Sequence, residues 1–318
     1  MMKAVARRAA PPLSRPGETA RTMLWRFGAF VDDAFPYWSL LPALLMFLLL
    51  TVYPMLRLIQ MSVSTVSFAG GKEHMAFDPL ANLSLLRADP VLRPAIFNTL
   101  VFVAGSVTAE MIIGLALAIV VSRIPRGKGL VRTIVILPIL VPPVAIGSMF
   151  KLIYNYDFGV LNQAAELFGL PHIDWLGSPN LALLSVIMVD VWHWVPFIFL
   201  ILFAAVEGLP VEIIEAAHID GASSGQITRY VMLPLLLPAT AIAFTFRAIL
   251  AFKVFDEVFL LTAGGPGTAT DLISLHLYEV FFVQNRLGYG AMLSIALILA
   301  IVAFLLAGRK AAGQRLYG

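Results

Sequence analysis

A few of the side chains able to carry chemistry lie in apolar surroundings. Glu110 sits in GSVTAEMIIGL, Asp190 and His193 in VIMVDVWHWVPF, and Arg247 and Lys253 in TFRAILAFKVF. An ionisable group in such a run is costly unless it is paired or wet, so each is a candidate functional residue. Asp190 and His193, three apart, share one face of a helix. That spacing suits a proton relay or two metal ligands, but no third carboxylate or imidazole stands near them in the sequence. A hydrogen bond inside a helix bundle, or a place at the membrane boundary, is the preferred account of the pair. Arg247 and Lys253 have Asp256 and Glu257 within reach, or an interface towards which to snorkel. Aromatic and polar residues alternate at Tyr154-Asn155-Tyr156, Trp192-His193-Trp194 and Phe252–Phe255. Aromatic faces with polar neighbours hold sugars, which makes Asn155, Trp192, His193 and Phe252 candidates for lining a solute path. Helix packing and an interfacial aromatic belt are the competing reading.

Catalytic patterns are missing. Gly127-Lys128 is followed by Gly129 rather than Ser or Thr, and Ser122 stands where a Walker A motif needs its first Gly, so this chain should not hydrolyse ATP itself. Gly264-Gly265-Pro266-Gly267 contains no basic residue and follows no strand pattern. No HExxH helix or hydrolase triad order appears. The chain has no cysteine, which excludes thiolate chemistry and Cys-bound metals. No metal ligand set and no cofactor for this chain is read from the sequence.

The elements that position these residues are membrane spans. Apolar residues make up 60% of the chain and charged ones 13%, about half the charged share of an ordinary soluble domain. They fall into blocks long enough to cross about 30 Å of hydrocarbon: Trp38–Ile59, Ala95–Ser122, Val131–Ile153, Leu181–Val206, Leu235–Phe255 and Tyr289–Ala307. The expected fold is all-α, with about six transmembrane helices. Residues 1–35 are a basic, Pro-containing tail without the apolar core and cleavage site of a signal peptide, and Met23–Phe35 reads as an interfacial helix or a solvated tail. Residues 36–308 form the membrane domain and 309–318 a second tail. With the N-terminus inside, about fourteen of the 22 Lys and Arg fall on inner segments. The outer side has Lys72, Arg87, Arg93 and Arg286. Both termini and the loop after the fourth span are therefore expected in the cytoplasm. Basic residues confined to short loops and tails give no folded basic face, so nucleic acid is not a partner. Prolines 42, 54, 138, 142, 143, 196 and 238 lie in or beside spans and predict kinks.

The loop expected in the cytoplasm reads LPVEIIEAAHIDGASSGQITRYVMLPLLLP over residues 209–238. Pro210–Asp220 is a helix pattern with Glu212 and Glu215 near its start. Gly221 is a C-terminal stop, and Ser223–Met232 is a second short helix. The result is a helix–turn–helix knob with an apolar face of Ile213, Ile214, Ala217 and Ile219. Composition alone favours a knob packed on its own bundle over a docking surface. The residue order decides between them. Glu215-Ala216-Ala217, Asp220-Gly221-Ala222 and Leu233-Pro234 resemble the EAA motif of permease subunits of binding-protein-dependent ABC importers. Tyr53-Pro54, Asn98-Thr99, Trp192 and Pro196-Phe197 are also similar to that family. Phe255-Asp256 and Leu261–Pro266 with Thr270 resemble its carbohydrate branch, of the maltose and glycerol-phosphate permease type. Gly225 and Thr228 depart from the pattern, in which an aromatic and Phe are common.

The resemblance implies a type I importer permease fold. Glu215, Ala216, Ala217, Asp220, Gly221, Ala222, Leu233 and Pro234 would then form the coupling loop, within about 209–234. The implied partners are an ATP-binding subunit dimer carrying ATP and Mg2+, a second permease (a heterodimer is favoured), and a periplasmic or extracellular solute-binding protein. Closure of the ATPase would rock two permeases between inward- and outward-facing states, importing a sugar, polyol or related solute across a bacterial or archaeal cell membrane. A self-contained secondary transporter driven by an ion gradient is the alternative. It predicts internal repeats with discontinuous helices, and no convincing repeat is present. An intramembrane enzyme is a third possibility.

Overall fold

In the computed structural model, described for Phe35 and residues 37–316, the chain is helical apart from one hairpin. It divides into two compact units, Met1–Leu58 and Ile59–Gly318. The basic tail and the interfacial stretch Met23–Phe35 fall essentially outside the described residues.

Helix α1 (Tyr37–Ser62) is long and apolar enough to cross a membrane, with one π-helical turn at Leu48–Val52. A two-stranded antiparallel hairpin follows, β1 (Ser64–Ala69) and β2 (Lys72–Phe77), joined by Gly70-Gly71. Both glycines have positive φ, the requirement of the two-residue turn whose twist matches a hairpin. The apolar blocks used to find spans carry no signal for this element, because its six-residue strands are mixed in polarity. Helix α2 (Pro79–Ala88) is capped by Asp78, which accepts from the Ala81 amide.

The second unit is organised around α3 (Leu92–Ser122), α7 (Ala182–Glu207) and α9 (Ser224–Phe252), all long enough to span. Between α3 and α7 the expected single kinked span Val131–Ile153 is instead two helices. These are α4 (Lys128–Ile136), continued by a 3-10 turn to Leu140, and α5 (Pro143–Ile153), at 93° to one another. Val141 and Pro142 are extended. A residue before proline is pushed out of the helical region, and Pro142 and Pro143 lack amide donors, so this proline pair breaks the span rather than bending it. By contrast Pro196 and Pro238 lie inside continuous helices.

Helices α3 and α7 make the most extensive packing in the unit. Gly114 permits it, since a Cβ there would meet Ile198 Cγ2 at 2.7 Å, and small residues at such crossings are how membrane helices approach closely. Around this pair lie two apolar clusters. One contains Phe102, Val186 and Val258, the other Ile198, Phe199, Leu202 and Leu236. Helix α6 (Val160–Leu167) lies in the loop between α5 and α7. Helices α8 (Val211–Ile219), α10 (Asp256–Leu261), α11 (Ile273–Val283) and α12 (Leu287–Leu316) complete the chain. The last helix runs eight residues past Gly308, through the segment read as a tail. Among the described residues, five helices can each span and the bent pair makes a sixth candidate.

Candidate functional site

The first candidate region is the knob between α7 and α9. Helix α8 forms where the sequence places it and ends in a hydrogen-bonded stop. Ala222 N–H donates to Ala217 O, Gly221 N–H donates to His218 O, and Gly221 has φ +81°. This is the Schellman arrangement, in which a left-handed residue satisfies the last carbonyls. Ser223 then opens α9 with a reciprocal capping box to Gln226. The short helix expected over Ser223–Met232 does not end at Leu233-Pro234 but runs directly into the fifth span. A π-helical turn at Thr228–Met232 leads into Pro234, which sits in the first turn of the helix that follows.

The apolar face expected of the knob splits in two. Ile214 and Ala217 pack with the Val206, Ile227 and Met232 cluster, whereas Ile213 is exposed and Ile219 is 86% exposed at the tip. Four apolar residues at these positions span too wide an arc for one short helix to bury. Glu215, Ala216, Asp220 and Gly221 are exposed; Ala222 and Leu233 are half-buried, and Pro234 is exposed. The knob is fastened to the neighbouring loop. Arg123 donates to the Thr228 hydroxyl at 2.5 Å, and Lys128 pairs with Glu207 at 3.1 Å. Thr228, a departure from the motif, thus has a partner, and Gly225 faces open space. A cavity of about 500 Å³ lies beneath, lined by Arg123, Glu207, Ile214, His218 and Met232 among others.

The second region is an ion-pair cluster inside the bundle. Arg247 on α9 lies between Glu110 on α3 and Asp190 on α7. Its Nη2 donates to Glu110 Oε1 at 2.8 Å and to Asp190 Oδ2, and its Nε is 2.6 Å from Glu110 Oε2. The guanidinium carbon stands 5.0 Å from the Trp194 ring centre. Arg247 is therefore not paired with Asp256 or Glu257. Glu257, on α10, accepts instead from His193 Nδ1. Asp190 and His193, read as neighbours on one face, serve two separate bonds. Complementary charges at single positions in three apolar spans were the signal for this pairing. Sequence spacing could not show it, because the partners lie 57 and 137 residues from Arg247.

The remaining path candidates lie apart. Asn155 accepts from the Asp157 and Phe158 amides in its own loop. Phe252 is buried against Phe304, with ring centres 5.3 Å apart. Trp192, 39% exposed, meets Phe150 edge-on. A smaller cavity of about 160 Å³ is lined by Trp194, Arg247, Lys253, Phe255, Asp256 and Glu257 among others.

At the end opposite the knob, Asn98 donates to the Thr268 and Asp271 carbonyls, and Thr99 accepts from the Ile273 amide. Thr270 donates to Gly265 O and lies 2.6 Å from the Thr262 hydroxyl. The Asn98-Thr99 and Leu261–Pro266 motifs, far apart in sequence, thus form one structure. Burial pushes the Asp271 carboxyl up to about 6; His276 opposes the rise, and Glu279 and Asp89 add to it.

A spanning bundle with a helical knob carried on an unbroken span is the architecture of an importer's membrane subunit. The family model described as "Binding-protein-dependent transport system inner membrane component" matches residues 90–310, and the chain belongs to that family. The trehalose/maltose transport system permease protein MalF of Thermococcus litoralis is 36% identical over 208 residues, 65% of this chain and 70% of that protein. The trehalose transport system permease protein SugA of Mycobacterium tuberculosis is 30% identical over 290 residues, 90% and 92% of the two chains. A bacterial ABC transporter that imports the acidic polysaccharide alginate has a chain of the same fold. Its TM-score is 0.79 at 21% identity, covering 92% of this chain and all of that one. The protein is thus a membrane-spanning permease subunit of an ABC importer.

Proposed function

We propose that the chain forms half of a solute path for a sugar, polyol or related solute, and is driven by a separate ATPase that seats against Glu215–Asp220. The carrying observation is the split face of α8. Ile214 and Ala217 fix the helix to the bundle, while Glu215, Ala216 and the protruding Ile219 are left free for another protein. An apolar tip beside small and acidic residues is what a docking cleft requires. Because α9 is continuous, displacement of the knob passes straight into the span that holds Arg247.

ATP and Mg2+ belong to the partner dimer in this reading. A second permease completes the path, and a solute-binding protein delivers substrate at the opposite end. A transporter bound to a pentasaccharide-loaded periplasmic protein shares this fold. The location is the inner or plasma membrane of a bacterium or archaeon, with both termini and the knob in the cytoplasm. Sugar as the solute class is supported by the names of relatives, which include trehalose, maltose and sulfoquinovosyl glycerol systems. The wall offered to it is the cavity with Trp194, Phe255, Lys253 and Asp256, which joins aromatic faces to polar groups. Trp192, His193 and Phe252 adjoin residues of this wall in sequence, whereas Asn155 is held in its own loop.

The test is co-purification of the detergent-solubilised chain with an ATPase, followed by solute uptake in vesicles. ATP-dependent uptake supports the reading. Uptake by the chain alone, driven by an ion gradient, would establish the secondary-transporter alternative.

A further inference from the structure

Asp271, His276 and Glu279 each bring one ligand atom within 4.8 Å of the other two. His276 and Glu279 are three apart on α11, and Asp271 immediately precedes that helix, so a loop and a helix converge on one point. Two of the groups have an orphaned atom there. His276 is 3% exposed and its Nδ1 has no hydrogen-bond partner; Asp271 is 6% exposed and its Oδ1 has none. Orphaned polar atoms at such depth are rare, and each calls for a physical explanation.

The far side of the imidazole is already fixed. His276 Nε2 donates to Asp89 Oδ2 at 2.7 Å, and Asp89 also accepts from Tyr289. With the proton on Nε2, Nδ1 keeps a lone pair free to act as a ligand. A carboxylate behind a histidine is the arrangement that sets tautomer and ring orientation in metal sites. Asp89, Asp271 and Glu279 bring three acids to this end of the bundle, where Arg286 stacks on Tyr289. A cavity of about 240 Å³, lined by Asp89, His276, Gln284 and Arg286 among others, adjoins the cluster.

We propose that Asp271, His276 and Glu279 bind a divalent transition-metal ion such as Zn2+. One imidazole and two carboxylates suit such an ion, with a fourth position left for water. Bound there, it would fasten the 264–272 loop to α11. Neither the transported solute nor the ATPase partner enters this proposal.

The test uses the purified, assembled transporter, with Zn2+ as the probe. After stripping with chelator and dialysis, zinc binding is measured by titration calorimetry and by elemental analysis of the desalted protein. The expected result is one zinc per chain. Glu279→Gln, which changes a half-buried side chain without changing its size, should weaken binding at least ~10-fold, and Asp89→Asn should weaken it ~10- to 100-fold, both with unchanged assembly. No stoichiometric zinc in the wild type, or equal affinity in Glu279→Gln, would overturn the site and leave a proton shared among the acids as the explanation of the orphaned atoms.

Discussion

The Arg247 guanidinium is paired with the Glu110 carboxylate, with Nε 2.6 Å from Oε2 and Nη2 2.8 Å from Oε1, joining residues 137 apart in sequence. Both are essentially inaccessible. With Asp190 also accepting from Nη2, one cation ties α3, α7 and α9 together at a depth where water cannot compensate a lost partner.

Removing that cation should therefore harm folding more than removing an apolar neighbour. Arg247→Met leaves two carboxylates without their cation, and breaking a buried pair costs ~3–5 kcal/mol. The measurement is thermal stability and folded yield in detergent. Glu110→Gln combined with Arg247→Met should recover part of the loss, because the two effects share one interaction.

The knob's stop can be probed by a pair of glycines. Gly221→Ala meets no atom within 4 Å but must hold φ +81°, a left-handed conformation that costs an L-residue ~1–2 kcal/mol. Gly225→Ala also faces open space, but lies in helical backbone and should be neutral or stabilising by ~0.4–1 kcal/mol. Chemical or thermal unfolding of the two variants should move in opposite directions, and only Gly221→Ala should lower transport.

Asp89 gives a pH prediction. Burial alone would raise its carboxyl, but hydrogen bonds from Tyr289, His276 and the Val91 amide outweigh that and hold it below its ordinary value of 3.8. A depressed carboxyl contributes stability that is complete above the ordinary value and lost as pH falls through the folded one. Wild-type melting temperature should thus fall more steeply than that of Asp89→Asn once pH drops below the ordinary 3.8.

Asn162 organises the 154–181 loop. It donates to the Tyr156 and Ile173 carbonyls and accepts from the Ile173 amide and the Trp175 indole. Asn162→Ala leaves these groups unpaired at ~1–3 kcal/mol each where buried. Faster hydrogen exchange and proteolysis confined to this loop are expected.

Spans and knob were legible because they rest on local signals, namely apolar runs, a Gly stop, a Ser cap and a specific residue order. Less was visible where the outcome depends on distant partners. Arg247 has acids nearby in sequence at Asp256 and Glu257, yet pairs with Glu110 and Asp190, since helix packing and not spacing chooses its neighbours. Pro142-Pro143 signalled a kink but not whether the helix would resume in line. The hairpin Ser64–Phe77 was hidden because its strands bury little. His276 has no local signal at all; its partner Asp89 is 187 residues away.

The central claim is that a separate ATPase works this permease through the exposed side of α8. The most direct measurement is solute-stimulated ATP hydrolysis and uptake in the reconstituted complex, comparing wild type with Ile219→Asp. The account predicts an intact membrane subunit in the variant, with weakened ATPase attachment and uptake reduced at least ~10-fold, the loss of one buried apolar anchor at an interface. Undiminished uptake and unchanged attachment in Ile219→Asp would contradict it.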